Sequence, residues 1–239
     1  MSEPSNYIRD LVIANRILAH EDVLDAYGHV SLRHPERPDR FLLSCSRSPE
    51  LVEPGDIVEH HLNGEAAAPD GRKLYLERFI HGAVFEARPD VIAVVHSHAE
   101  DVLPFCLTTV PLRAVIHNAC KMGPHVPFWD IRDAFGETNL LVSRIEPGRD
   151  MAGAMGGASV ILMRGHGFTA AAGTLMEAVA LAVYLPKNAR VLMNALRMTG
   201  GRMDGVKTIS QAELDLTNFG PQRHDFGRAW EYWSRRVGF

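Results

Sequence analysis

Cysteine is scarce, with Cys45, Cys106 and Cys120 the only three in 239 residues and no C-x-x-C pair among them. An odd, unpaired set excludes a disulfide framework and a thiolate zinc site, and predicts free thiols packed as small apolar groups. Long apolar runs are missing too. The longest, Val91–Val95 and Ala178–Leu185, fall well short of the roughly 20 residues that a membrane helix needs, so no membrane span is expected. Met1-Ser2-Glu3-Pro4 offers neither a basic n-region nor an apolar h-region, which makes the cytoplasm the expected location. Charge of one sign is not in excess: the formal balance is −4, and the arginines of 33–40 are interrupted by Glu36, Asp39, Pro35 and Pro38. Without a basic stripe, nucleic acid is not an expected partner. Internal repeats, low-complexity tracts and Gly/Ser linkers are absent as well.

What the chain has in quantity is apolar residues, at 46%, and twelve histidines. One domain is expected over 1–239, with a core at about 8–198. A C-terminal tail at 199–239 opens with the Gly200-Gly201 and Asp204-Gly205 loop before a helical segment. Ile8, Leu11, Val12, Asn15 and Leu18 recur at helical spacing, whereas His29–Arg33 and Arg40–Ser44 read as short strands flanking a proline-rich turn. Leu74–Ala87 is predicted as a helix on the spacing of Leu74, Phe79, Ile80, Ala83 and Val84, stopped by Arg88-Pro89-Asp90. Val91–His96 and Ala158–Met163 read as buried strands, and Thr174-x-x-Glu177 is a capping box that opens a helix running to about Met198. Helices alternating with short strands predict a layered α/β fold.

The histidines are not evenly distributed. His96-Ser97-His98 ends the Val91–His96 strand, and side chains at i and i+2 of a strand point the same way. Two imidazoles therefore converge where a cleft can open, although two ordinary surface histidines would give the same pattern. The second buried strand runs into Arg164-Gly165-His166-Gly167, whose glycines permit a tight turn and supply a third candidate nitrogen. Glu77 and His81 stand at i and i+4 of the predicted helix; Glu77 could ligate or act as acid and base, or both could be solvated. Three nitrogens and an oxygen suit Zn²⁺, Mn²⁺ or another first-row divalent ion such as Co²⁺ or Fe²⁺.

Taken in order, Gly28-His29-Val30-Ser31, Glu77-x-x-x-His81, Arg88-Pro89-Asp90, Val94-Val95-His96-Ser97-His98-Ala99 and Gly165-His166-Gly167 resemble the class II aldolase/adducin family over roughly residues 8–198. The resemblance implies a three-layer α/β/α fold around a mainly antiparallel sheet. It also implies a divalent metal on His96, His98 and His166 with Glu77 catalytic, and a homo-oligomer, expected as a tetramer, whose sites lie at subunit boundaries. Adducin-like scaffolds lack the full ligand set, so its presence points to an enzyme.

Two departures from the sugar-phosphate aldolases stand out. His29 replaces their asparagine, Ser46-Arg47 replaces a Thr/Ser-Gly pair, and Tyr75-Leu76 replaces two serines, so the phosphate cradle is dismantled while Arg47 offers a planar fork suited to a carboxylate. No tyrosine occurs between Tyr75 and Tyr184, so the hydroxyl that those aldolases borrow from a neighbouring subunit is missing; Val115-Ile116-His117-Asn118 occupies that stretch. These features resemble the hydroxy-aromatic dicarboxylate decarboxylase branch, which includes the hydroxymethylpyridine-dicarboxylate and dihydroxyphthalate enzymes. That resemblance implies a carboxy-lyase taking a small aromatic acid, with Glu77 delivering a proton and His29 a second proton-handling candidate. Gly28, Ser46, Arg47, Tyr75 and His117 would meet substrate; for Arg47 the bland reading is a surface pair with Glu50 or Glu53, and for His117 and His125 ordinary loop histidines. An aldolase or epimerase of non-phosphorylated acids, and a non-catalytic scaffold, are the alternatives. Trp230, Tyr232 and Trp233 are expected to cover a neighbour or the site. His20, His34, His60, His61 and His224 are assigned no role.

Overall fold

The computed structural model describes residues 6–219 and 226–239; His224 and Met1-Ser2-Glu3-Pro4 lie outside the described residues. Along the chain run α1 (Asn6–His20), β1 (His29–Arg33), β2 (Arg40–Ser44), β3 (Ile57–His61), α2 (Arg78–Ala87), β4 (Ala93–Ser97), β5 (Phe128–Trp129), α3 (Arg132–Phe135), α4 (Ile145–Met155), β6 (Val160–Met163), β7 (Gly167–Ala172), α5 (Leu175–Met198), α6 (Gln211–Phe219) and α7 (Gly227–Arg236). The strands form one seven-stranded sheet in the order β3-β2-β1-β4-β7-β6-β5, antiparallel throughout except for the β5–β6 pair. This is the expected α/β architecture with a mainly antiparallel sheet.

Apolar helical stripes cover both faces. On one side Leu11, Ala14, Ile17 and Leu18 of α1 and Val179, Leu185 and Ala189 of α5 share a core with Val30, Leu32, Ala93 and Val95. On the other, Ile80, Ala83 and Val84 of α2 and Met151, Ala152 and Met155 of α4 pack on Phe41, Leu43, Val94 and Ile161. Burial on both faces explains why β1 and β4 carry apolar and polar residues alike yet are buried throughout. Because the pleat alternates, residues of β1 and β4 that do not face α1 and α5 face α2, and this turns His29, Ser31 and His96 toward the α2 layer.

Boundaries at three places differ from the sequence reading. β4 and β6 begin two residues later than expected, which is the ordinary margin at element ends. The difference at α2 has a clearer cause. This helix begins at Arg78, not at Leu74, with Glu77 as its N-cap residue. The preceding segment is held off helical geometry by its own side chains: the Tyr75 hydroxyl donates to the Arg47 carbonyl, and Arg78 donates to the Tyr75 and Gly64 carbonyls at 2.9 and 2.7 Å. Glu77 and His81 therefore do not form an i, i+4 pair on one helix face.

The tail folds back on its own chain. Leu214 of α6 and Trp233 of α7 join the α1/α5 core at 1% and 4% exposure, and Trp233 stacks obliquely on Tyr184 with ring centroids 5.9 Å apart. Trp233 is thus spent inside this chain, where a cover for a neighbour or for the site was expected, while Tyr232 stays exposed. Consecutive positions of a helix lie about 100° apart, which turns Tyr232 away from the core that Trp233 enters. Cys106 and Cys120 are buried free thiols and Cys45 is half-buried, as their scarcity predicted. No described helix is long and apolar enough to cross a membrane.

Candidate metal centre

The β1–β4 register sets His29 opposite His96, and the β4–β7 register sets His96 opposite Thr169. His98 lies one residue beyond β4, and His166 sits in the tight turn between β6 and β7. The approach is close enough to demand glycine: a Cβ on Gly167, whose φ is +151°, would stand 2.1 Å from the Ser97 carbonyl oxygen. Gly28, at φ +81°, would bring a Cβ to 2.6 Å from Leu24 and 3.0 Å from the His96 carbonyl. Its glycine is therefore explained by packing under the site.

Four groups converge. The Nε2 atoms of His96, His98 and His166 stand 3.1 to 3.2 Å from one another, and Glu77 Oε2 lies 3.5 Å from His96 Nε2 and 3.3 Å from His166 Nε2. The far ring nitrogens show which end carries the proton. His166 Nδ1 lies 3.0 Å from the Leu140 carbonyl, which only accepts, so the proton is on Nδ1. His96 Nδ1 lies 3.2 Å from Thr169 Oγ1, whose own hydrogen is directed at Met163 Sδ, 3.5 Å away; His96 again donates from Nδ1. In the neutral rings both Nε2 lone pairs face each other, an arrangement that a cation satisfies, whereas, against burial, a proton on His166 Nε2 bonds Glu77, which raises the His166 pKa.

The spacing also fits. Nitrogens bound at about 2.1 Å to one first-row ion stand about 3.0–3.4 Å apart. Burial pushes the pKa of His98 down to about 3, which keeps its lone pair available. The Glu77, His96, His98 and His166 donor atoms all lie within 4.8 Å of one another, and they form the metal-competent cluster among the described residues.

Glu77 shows two opposed effects. Burial favours its neutral acid, but hydrogen bonds and charge from His166 and His96 outweigh it and hold the carboxyl far below the usual carboxylate range. Its other oxygen, Oε1, accepts from the Val142 backbone N–H at 3.0 Å.

The remaining site candidates are placed unevenly. His29 is buried, with ring centroids 4.6 Å from Tyr75 and 5.3 Å from His96, so it borders the cluster. His81, for which solvation was one reading, is fully buried against His29 and Ser31. Tyr75 joins the site to the Arg47 loop through its hydroxyl. Arg47 itself is tied within this chain: its Nε donates to the Leu51 carbonyl at 2.6 Å and lies 3.2 Å from Asp56, which replaces the sequence-neighbour pairing with Glu50 or Glu53. Ser46 is exposed, and its backbone N–H is bonded to Lys73. His117 is exposed and does not join the cluster within one chain. Beside His98 opens a cleft of about 890 Å³, lined by Asp25, Ser48, Glu50 and Glu100 among others.

Sequence reasoning assigned no role to Thr169, Leu140 and Val142, which orient the cluster, or to Ser31, which bonds His81 beside it. Ser31 alone carried a signal, since it stands two residues from His29 on the same strand face. The carbonyl and N–H contributed by 140 and 142 come from irregular chain with no sequence signature.

Comparison with known proteins agrees with this geometry. Over 96% of its length the chain is 34% identical to the decarboxylase tropJ of Talaromyces stipitatus, covering 93% of that protein. It is 30% identical to the 3,4-dihydroxyphthalate decarboxylase of Arthrobacter keyseri, with 93% of this chain and 94% of that one aligned. Among solved structures, an L-fuculose 1-phosphate aldolase from Glaciozyma antarctica superposes with a TM-score of 0.76 at 22% identity over 99% of this chain and 92% of that one, a likeness of fold. Residues 9–193 match the class II aldolase and adducin N-terminal domain, and the chain belongs to that family.

Proposed function

We propose that the chain is a metal-dependent decarboxylase of a hydroxylated aromatic or heteroaromatic dicarboxylate, located in the cytoplasm. The observation that carries this reading is the complete Glu77, His96, His98 and His166 cluster in a chain whose relatives along nearly the whole length are named decarboxylases. A scaffold has no use for three imidazoles, one of them fully buried, whose Nε2 atoms converge.

His96, His98 and His166 would hold a divalent ion, Mn²⁺ or Zn²⁺ by the chemistry of the donor set, with Co²⁺ or Fe²⁺ also compatible. Such an ion, when bound, supplies a Lewis acid beside the oxygen that takes up negative charge as CO₂ departs. Glu77 would return a proton to the ring carbon. Burial favours the protonated form that this step needs, and the imidazoles and the charge of a bound ion oppose it. The Val142 N–H holds the carboxyl in place by its other oxygen. Tyr75, stacked near His29, offers a wall for an aromatic ring, and the Arg47 loop beyond it is the place for the retained carboxylate. A tetramer with sites at subunit boundaries fits the exposed apolar side chains of Tyr27, Leu76 and Leu107, which neighbour site residues in sequence or space.

The test is a panel of ortho-hydroxy aromatic dicarboxylates with anaerobic metal analysis, scored for CO₂ against aldehyde. Release of CO₂ in step with metal content is expected. A carbonyl product without CO₂ rejects the reading in favour of an aldolase, and sedimentation as a concentration-independent monomer rejects the tetramer.

A further inference from the structure

The three converging imidazoles are not held alike. His96 lies inside the β4–β7 ladder and is tied through Nδ1 to Thr169, and His166 is tied through Nδ1 to the Leu140 carbonyl. His98 has neither support. It lies beyond the last register pair of β4, Ser97 with Phe168. Among the described residues its ring has no hydrogen-bonding neighbour except the Nε2 atoms of His96 and His166. What places this ring is therefore the backbone on either side of it.

One hydroxyl fixes both flanks. Ser97 Oγ donates to the Val23 carbonyl at 2.6 Å and accepts from the Ala99 N–H at 3.1 Å. A carbonyl only accepts and an N–H only donates, so the hydroxyl's hydrogen and one lone pair are both assigned. The second bond, between residues i and i+2, is a serine turn, and it bends the chain at His98. Ser97 is fully buried, and Val23 and Ala99 are nearly so. The anchor at Val23 is fixed in turn. α1 is followed by Asp22 at φ +57°, where the Asp22 N–H donates to the Ala19 carbonyl and the Val23 N–H to the Leu18 carbonyl, at 3.2 and 2.9 Å. Two such bonds around a left-handed residue are a helix stop that satisfies the last turn of α1, and Leu18 is fully buried in the core. A line of hydrogen bonds thus runs from the end of α1 through Ser97 to the turn that carries His98.

We infer that Ser97, the spacer of the H-x-H motif, is the positioning residue of His98: its hydroxyl ties the His98 turn to the end of α1 and so sets the third imidazole at ion-binding distance. The inference rests on reading the cluster as a metal centre; the turn itself does not. Without the hydroxyl, the buried Val23 carbonyl and Ala99 N–H lose their partner. The turn must then shift to recover one, and His98 moves with it while His96 and His166 keep their own anchors.

The test uses the full-length chain and zinc, with the dissociation constant read by competition with a chromophoric chelator and Tm measured with and without zinc. Ser97→Ala is expected to bind zinc about 10- to 100-fold more weakly and to show a smaller zinc-dependent rise in Tm. A packing role alone lowers both melting points together and leaves the rise and the dissociation constant as in the parent; that result overturns the inference. Ser97→Thr keeps the hydroxyl, and Ser97→Val has the shape of threonine without it. The first is expected to bind zinc as the parent does and the second as weakly as Ser97→Ala, and equal affinities in the two overturn the inference. The parent supplies a check that needs no variant to fold: without zinc, its Ala99 amide is expected to exchange hydrogen at least about tenfold more slowly than an open loop amide. Exchange at the open rate means that the turn is not held, and the inference falls. A parent that takes up no zinc rejects the metal reading and this role with it, whereas a parent with a full equivalent and unchanged affinity in Ser97→Ala rejects the role of Ser97 alone.

Discussion

Glu77 Oε1 accepts a hydrogen bond from the Val142 backbone N–H at 3.0 Å, joining the N-cap of α2 to irregular chain 65 residues away. That bond leaves Oε2 to face the imidazoles. Glu77→Gln keeps an oxygen for Val142 but cannot deliver a proton. Turnover, followed as CO₂ release, is expected to fall about 10²- to 10⁴-fold at saturating metal, and full turnover in this variant would remove Glu77 from the chemistry.

Removing the ion should cost stability. An ion present at about 100 times its dissociation constant adds about 2.7 kcal/mol to folding, so chelation is expected to lower Tm by several degrees. His96→Ala and His166→Ala should bind less than one ion per chain and show no chelator-dependent shift. A variant that keeps a full equivalent by elemental analysis contradicts the ligand assignment.

His60 gives the pH response of the fold a definite sign. It is buried, stacked on Phe41 with ring centroids 5.0 Å apart, and burial lowers its pKa from 6.5 to about 4. The unfolded chain therefore takes the proton first as pH falls. Stability present above about pH 6.5 is lost progressively down to about pH 4, by up to about 3 kcal/mol for this group. Urea unfolding at pH 7 and pH 4.5 should show a smaller acid loss in His60→Gln than in the parent. Equal losses would clear His60 of the effect.

Gly167→Ala places a methyl group 2.1 Å from the Ser97 carbonyl oxygen, a backbone atom that cannot step aside alone. A loss of about 3 kcal/mol or more is expected, and because His166 precedes this residue, metal capacity should fall with it. Gly55→Ala, where no atom lies within 4 Å of the added carbon, is the matched control. Parent-like melting and metal content in Gly167→Ala would mean that the turn can relax.

Local chemistry in this chain was readable and distant pairing was not. β1 and β2 fall at the strands read from His29–Arg33 and Arg40–Ser44, since alternation and a proline-rich turn are properties of neighbouring residues. The Thr174 cap holds, with its hydroxyl accepting from Glu177 N–H. The converging histidines were legible because an H-x-H at a strand end and a histidine between glycines mark themselves. The start of α2 was not, because Tyr75 is pinned by Arg47, which no periodicity encodes. Likewise Arg47 has a plain surface context in sequence, yet the fold sets Asp56 beside it. β3 and β7, the latter a run of small residues, gave no strand signal of their own.

The strand order has a consequence for when the site comes into being. β1 pairs with β4, and β4 with β7, so the interval between β4 and β7 must be threaded and closed before His166 meets His96, 70 residues earlier. Contacts of such sequence separation form late because loop closure opposes them. On the ribosome, a chain released only as far as β4 would expose His96 and His98 without their third partner. Capture of an ion by the proposed ligand set would thus be deferred until the two halves of the sheet have joined, and its uptake by a refolding chain would serve as a clock for that step.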